Sequence, residues 1–428
     1  GSTLRALVQQ GKLARDEIVV ISKVGYVQGD DLERAKERAN AGMPFPQMRI
    51  LDDDSWHCIH PEWLEDQLSR SLARLELETL DVCLLHDPET FLRDAGSSSG
   101  QGLNELRDQF YEQLQAAFAK LEAEAARGRI GCYGVSSNTA ALPHDRREAT
   151  DLGRMLQAAR AAGGENHRFR VLQVPLNLIE TGAFSAASGA ASESLLARAA
   201  HESVAVLVNR PLDAIAHGQL ERLADPPVID RALMFDFARN QVAALEREFR
   251  DTIAPSLRVA DGGIDTNELF AWSDHLADFP LKLESFQQWQ EAEGLMIRPQ
   301  VERVVQALDA ADLGPVEELW QGFRLRYLPA LEDLFTSLRA RASELSRVRT
   351  QKLHVALDPA LPEGERSAAL AQKVLHVTSS LPGVTSVLVG ARRREYVEDL
   401  SMVMQWRKLP SPERALEAVR CVREEPAV

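Results

Sequence analysis

LDVCLLHDP, residues 80–88, decides the fold: a short β-branched apolar run gives way to loop residues and then to a helical pattern, as a strand of a parallel α/β fold does. Five more runs of this kind flank it: EIVVISKVG (17–25), RIGCYGVSSN (129–138), RVLQVPLN (170–177), VAVLVNRPL (204–212) and TSVLVGARR (385–393). Between them the helices are well signalled. After Pro61, a favourable first-turn residue, Leu64, Leu68, Leu72 and Leu75 recur at steps of three and four. A second helix runs through Leu106, Phe110, Leu114, Phe118 and Leu121 and stops at Gly128, a natural left-handed cap.

Lys23, His86, Ser136, Gln173 and Pro211 stand at successive strand ends, at intervals that suit β/α units; the next such residue, Gly390, comes far too late. Residues 221–360 carry helical periodicity and little strand signal, as in Val242, Leu245, Phe249 and Ile253 or Leu331, Leu334, Phe335 and Leu338. The expected organisation is a barrel whose first part spans residues 1–220, a helical insertion over 221–360, and a last strand with C-terminal helices over 361–428. Six strands, where a closed parallel barrel uses eight, predict two more upstream of Gly1.

Composition sets the class. The chain has 428 residues, 45% hydrophobic and 26% charged, with 49 Lys plus Arg against 64 Asp plus Glu, for a formal net charge of −15. Bulk charge of this sign argues against nucleic-acid binding, while leaving room for a phosphate pocket built from a few local arginines. Cys58, Cys83, Cys132 and Cys421 form no CxxC pair, no apolar run approaches the roughly 18 residues that span a bilayer, and the N-terminal residues lack a signal-peptide layout. A cytoplasmic protein that binds neither membrane nor nucleic acid is expected. His57, Cys58 and His60 in SWHCIH are close together, but no second ligand cluster accompanies them, so no metal site is expected. Neither GxGxxG nor GxxxxGK occurs.

Four segments in order, LEDQLSRSLARLELETLDVCLLHDPE (64–89), KLEAEAARGRIGCYGVSSN (120–138), VLQVPLNLIE (171–180) and PGVTSVLVGARRREYVEDL (382–400), resemble the aldo-keto reductase superfamily. The resemblance covers about residues 3–220 and 366–405. It implies an α/β fold of the (β/α)8 TIM-barrel type and hydride transfer between NADP(H), as NADPH in the reductive direction, and an aldehyde, ketone or sugar carbonyl. It makes Lys23 and His86 the matches of the family's catalytic lysine and histidine. The family's catalytic aspartate and tyrosine lie before the segment with which this chain begins and have no match here, so an NADP-dependent oxidoreductase activity is expected of a longer protein. Tyr26, three residues past Lys23, is read as a rim residue rather than a substitute proton donor.

For the cofactor, the resemblance implies Ser136, Ser137, Asn138 and Gln173 around the nicotinamide carboxamide. It places Asn209 where relatives carry an aromatic stacker, Arg210 and Leu212 in the pyrophosphate loop, and Gly390, Arg392 and Arg393 at the adenosine 2′-phosphate. Retention of Lys23, His86 and Gln173 favours the enzyme. The missing stacker favours the alternative, a non-catalytic relative that binds cofactor or acts as an interaction module through its insertion. The expected partners are a small carbonyl substrate and, through residues 221–360, a second copy or another protein.

Overall fold

A computed structural model describes residues 1–94, 102–185, 193–216, 218–230, 232–257 and 268–424. The helices in chain order are α1 (Ser2–Gln9), α2 (Asp30–Asn40), α3 (Pro61–Leu75), α4 (Thr90–Asp94), α5 (Leu103–Ala126), α6 (Leu152–Gly163), α7 (Leu195–His201), α8 (Phe235–Thr252), α9 (Trp272–His275), α10 (Phe279–Lys282), α11 (Phe286–Glu291), α12 (Arg298–Ala310), α13 (Glu317–Leu357), α14 (Leu370–Ser380), α15 (Arg394–Ser401) and α16 (Glu413–Glu424). The strands are β1 (Ile21–Val24), β2 (Tyr26–Val27), β3 (Arg49–Ile50), β4 (Trp56–His57), β5 (Leu80–His86), β6 (Ile130–Ser136), β7 (Phe169–Pro175), β8 (Ala205–Asn209), β9 (Asp213–Ala216), β10 (Gln219–Arg222) and β11 (Val384–Val387). The chain divides into two compact units, Gly1–Ala216 with Val374–Arg420, and His217–Lys373 with Cys421–Val428.

In the first unit, all six anticipated strands lie in one sheet of order β1-β5-β6-β7-β8-β11, every neighbouring pair parallel. This is the α/β architecture of a TIM-barrel-like fold. Both faces of the sheet are buried, which explains why the strands read as nearly continuous apolar runs. Val82, Leu84, Val171 and Leu207 form a cluster on the inner face, with Ile21, Cys132 and Ala205 against it. Alternate residues such as Cys83, Leu85, Tyr133, Val135, Val206 and Val208 are buried in turn.

The helices follow their sequence signals. In α3, Pro61 occupies the first turn, His60 caps the N-terminus by accepting from the Glu62 N–H, and Leu64, Leu68 and Leu72 are buried. α5 ends before Gly128, whose φ of +74° is the left-handed value expected of a cap. Sequence periodicity did not reveal the small antiparallel sheet β2-β4-β3 that follows β1. Its strands are two residues long, and alternation needs more length than that to register.

The second unit is helical and has its own core. Phe249 of α8, Phe270, and Trp320, Phe323 and Tyr327 of α13 are fully buried together. Phe270 is central, with its ring 4.7 Å from Phe249 and 5.0 Å from Tyr327. The buried Glu246 accepts from the Tyr327 hydroxyl at 2.9 Å and from the Ser273 N–H at 3.2 Å, so its carboxyl group is hydrogen-bonded rather than orphaned. Among the described residues, no helix is long and apolar enough to cross a membrane.

Candidate active site

Period-two alternation carries the inner face of the sheet out to its C-terminal edge. Ile21 is followed on that face by Lys23, Val82 and Leu84 by His86, Cys132 by Ser136, Val171 by Gln173, and Ala205 and Leu207 by Asn209. Strand register sets three of them level, His86 pairing with Ser136 and Ser136 with Gln173, while Lys23 pairs with Leu84 and Asn209 with Pro175. Polar groups thus cap an apolar interior where the loops of a β/α fold open.

Lys23 Nζ donates to Ser136 Oγ at 3.1 Å, and Gln173 Nε2 donates to the same oxygen at 3.1 Å. Ser136 and Gln173 are buried, whereas Lys23 and His86 are half-buried and line the opening. Burial lowers the Lys23 pKa against the opposing pull of Asp87, leaving a lysine that sheds its proton more readily than one in water. Burial first, and then the Lys23 charge, lowers the His86 pKa, so the imidazole is held neutral.

Tyr26 comes into the same opening. Gly25, at φ +145°, turns the chain after β1, and Gln67 of α3 fixes the turn by accepting from the Gly25 N–H and donating to the Tyr26 carbonyl, both at 2.8 Å. The phenol ring stands edge-on to His86, centroids 4.8 Å apart, and its hydroxyl donates to Asp87 Oδ2 at 3.1 Å. Asn138 Nδ2 donates to the same carboxylate oxygen at 2.8 Å. Burial and the Asp87 charge raise the Tyr26 pKa. Behind them Glu89 is fully buried: its Oε1 accepts from Ser137 Oγ at 3.0 Å and from the Asn138 N–H at 2.7 Å. Burial and then Asp87 push its pKa up to about 7.

Lys23, His86, Ser136, Gln173 and Asn209 share one face, and Asn138 reaches it through Asp87. Ser137 does not: its hydroxyl points to Glu89, Thr139 and Thr150. Arg210, at φ +52°, pairs at 2.9 Å with Glu180 of the loop after β7; Leu212 is half-buried beyond it. Gly390, Arg392 and Arg393 lie on the exposed turn after β11, where Arg393 sits over the Tyr396 ring at 5.8 Å. The motif around His57 disperses: His57 Nε2 bonds the His86 carbonyl at 2.7 Å, Cys58 is buried, and His60 caps α3. Burial lowers the His57 pKa to about 4 and keeps it neutral, so Nε2 is the donor in that bond. Reading only strand ends missed Asp87, Glu89 and the role of Gln67. The acids flanking Pro88 immediately after His86 were the available signal.

Two buried atoms bear on whether a nicotinamide would fit here. Gln173 Oε1 and Asn209 Oδ1 accept no hydrogen bond among the described residues. Buried acceptors are normally satisfied, and a primary carboxamide offers the two N–H donors these oxygens lack. The residues at this end of the sheet therefore fit a nicotinamide carboxamide.

Among solved structures, the chain is similar to an aldo-keto reductase from Bacillus halodurans in its holo form, at 11% identity and TM-score 0.38, covering 97% of this chain and 76% of that one. It is also similar to a glycerol dehydrogenase from Gluconobacter oxydans, at 10% identity and TM-score 0.37, covering 89% and 72%. A third similarity is to an aldose reductase from Schistosoma japonicum, at 14% identity and TM-score 0.28, covering 49% and 52%. No curated protein matches the chain. The model of the Aldo/keto reductase family matches residues 2–150, the segment that carries Lys23, Tyr26, His86 and Ser136. That segment is about a third of the chain, and over it the chain is similar to the aldo-keto reductases.

Proposed function

We propose that this chain takes part in hydride transfer between NADP(H) and the carbonyl of an aldehyde, ketone or sugar. The observation that carries this reading is the unsatisfied Gln173 Oε1, buried on the same face and level as Ser136 and His86. When bound, the nicotinamide supplies the hydride. The chain's own residues do the rest. Gln173 Oε1 accepts from the carboxamide and Ser136 Oγ steadies Gln173, so the ring is oriented over the opening. His86, neutral and half-buried, donates a hydrogen bond to the carbonyl oxygen and sets the substrate's approach. Lys23 places positive potential where negative charge develops on that oxygen. Arg392 and Arg393, exposed in an otherwise acidic chain, supply guanidinium forks for the adenosine 2′-phosphate.

The test is a fluorescence titration of the protein with NADPH and with NADH. Gln173→Ala should weaken both about 5- to 10-fold, the worth of one buried hydrogen bond. Arg392→Ala should weaken NADPH selectively. Equal losses for the two nucleotides in Arg392→Ala would remove the 2′-phosphate assignment, and unchanged binding in Gln173→Ala would remove the carboxamide assignment.

A further inference from the structure

The C-terminal half of α13 is covered on one side and bare on the other. Ser343, Thr350, Leu353 and Leu357 are buried within the second unit. Facing away from them, Arg341, Leu345, Val348, Lys352 and Val355 follow one another at steps of four and three, so they lie along a single stripe of the helix. Leu345, Val348 and Val355 are 37%, 56% and 63% exposed. Apolar residues scattered singly over a surface are ordinary, but these three share one stripe, and valine is a poor choice for helix propensity alone.

Steps of four and three are the seam spacing of a two-stranded coiled coil. In such a seam Leu345 and Lys352 take a positions and Val348 and Val355 take d positions. Glu344 is then a g residue and Arg349 the e residue of the following heptad. When two parallel helices pair in register, a g residue of one meets the following e residue of the other, so Glu344 and Arg349 match in charge twice across a two-fold axis. Both are exposed. Glu344 pairs within its own helix with Arg347, and Arg349 makes no hydrogen bond or ion pair among the described residues. Lys352 can lay its stem along the seam and carry its ammonium out to water; a single polar a residue fixes register and strand number at some cost in stability. Arg341 donates to the Pro280 carbonyl at 3.1 Å, which ends the seam.

We propose that this stripe is a self-association surface, taken by the same stripe of a second copy of the chain in a parallel, in-register two-helix seam. Its apolar layers are Leu345 on Leu345, Val348 on Val348 and Val355 on Val355, and its flanks are the two Glu344–Arg349 pairs. The seam is short, yet the helix is already held by the packing of its other side, so association does not bear the cost of forming it. The charge pattern favours a second copy over another protein, because Glu344 and Arg349 stand at the offset at which a helix complements itself.

The test is sedimentation equilibrium of the full chain across the micromolar range. Wild type should show a concentration-dependent equilibrium between monomer and dimer. Val348→Glu sets two carboxylates face to face in the seam and should weaken the dimer at least about 10-fold. Glu344→Arg and Arg349→Glu should each weaken it, because each turns both flanking pairs into like charges. The double variant should recover the wild-type constant, and an equimolar mixture of the two single variants should associate more tightly than either alone. Every substituted side chain is exposed, so melts of the dilute monomers followed by circular dichroism should coincide, separating loss of the dimer from loss of the fold. A wild type that stays monomeric overturns the proposal and leaves the stripe to a different partner. A dimer that Val348→Glu leaves intact also overturns it. A dimer lost in Val348→Glu but indifferent to the charge reversals overturns the parallel seam. None of these results bears on carbonyl reduction, whose tests read nucleotide binding.

Discussion

Glu89 shows how one side chain ties the opening to the stability of the fold. It is fully buried, Oε1 carries two hydrogen bonds, and Oε2 has none among the described residues. Its pKa in the fold, about 7, lies above its ordinary value, so the folded protein prefers the protonated form. That preference contributes stability fully present below the ordinary carboxylate range and lost as pH rises through about 7. From its size the loss is on the order of 3 kcal/mol. Glu89→Gln keeps an acceptor for Ser137 and Asn138 but cannot ionise. Denaturant unfolding at pH 5 and pH 8 should therefore show the wild type losing stability relative to the variant as pH rises. Parallel pH dependences for the two proteins would show that Glu89 does not titrate in this range. Residue identity alone did not reveal this group, because nothing in an isolated Glu distinguishes a solvated acid from one sealed behind a strand end.

At the scale of elements, the sequence fixes strand existence better than strand register. All six apolar runs became strands of one sheet, because burial on both faces leaves an unmistakable composition. The registration of β6 on β7 was not legible. Tyr133 pairs with Phe169, but Gly134 pairs with Val171, so β7 carries one extra residue at a bulge. This slip turns Phe169 outward beside Tyr133 and Phe118 of α5, sends Val171 inward, and brings Gln173 level with Ser136. Without it Leu172 would stand opposite Ser136 and Gln173 would leave the opening. Gly134 is what allows it, since a Cβ there would lie 1.8 Å from the Val171 carbonyl oxygen. Gly134→Ala should cost about 1–3 kcal/mol of stability, the range for overpacking a tight site, and should weaken NADPH binding at least as much as Gln173→Ala. Unfolding curves and nucleotide titration check both. A variant as stable as wild type would show that the bulge does not depend on this glycine.

For the whole molecule, the chain forms two compact units, one of them built mainly from the long helical stretch between β8 and β11. Periodicity could not say that this stretch has its own aromatic core, because an amphipathic stripe looks the same whatever covers it. The core makes a separable prediction. Phe270 is fully buried among Phe249, Trp320, Phe323 and Tyr327, all in the second unit. Truncating it to alanine removes a ring where every neighbour is itself large and packed, so collapse cannot refill the space, and the expected cost is about 3–5 kcal/mol. Lys23, Tyr26, His86, Asp87, Ser136 and Gln173 all belong to the first unit, with its own inner cluster beneath them. Phe270→Ala should therefore lower the midpoint of tryptophan-detected unfolding, to which Trp289 and Trp320 of the second core contribute, while NADPH affinity below that transition stays within about twofold of wild type. A parallel fall in affinity and midpoint would mean that the second unit's packing sets the geometry of the opening, and that residues outside the sheet belong in its chemistry.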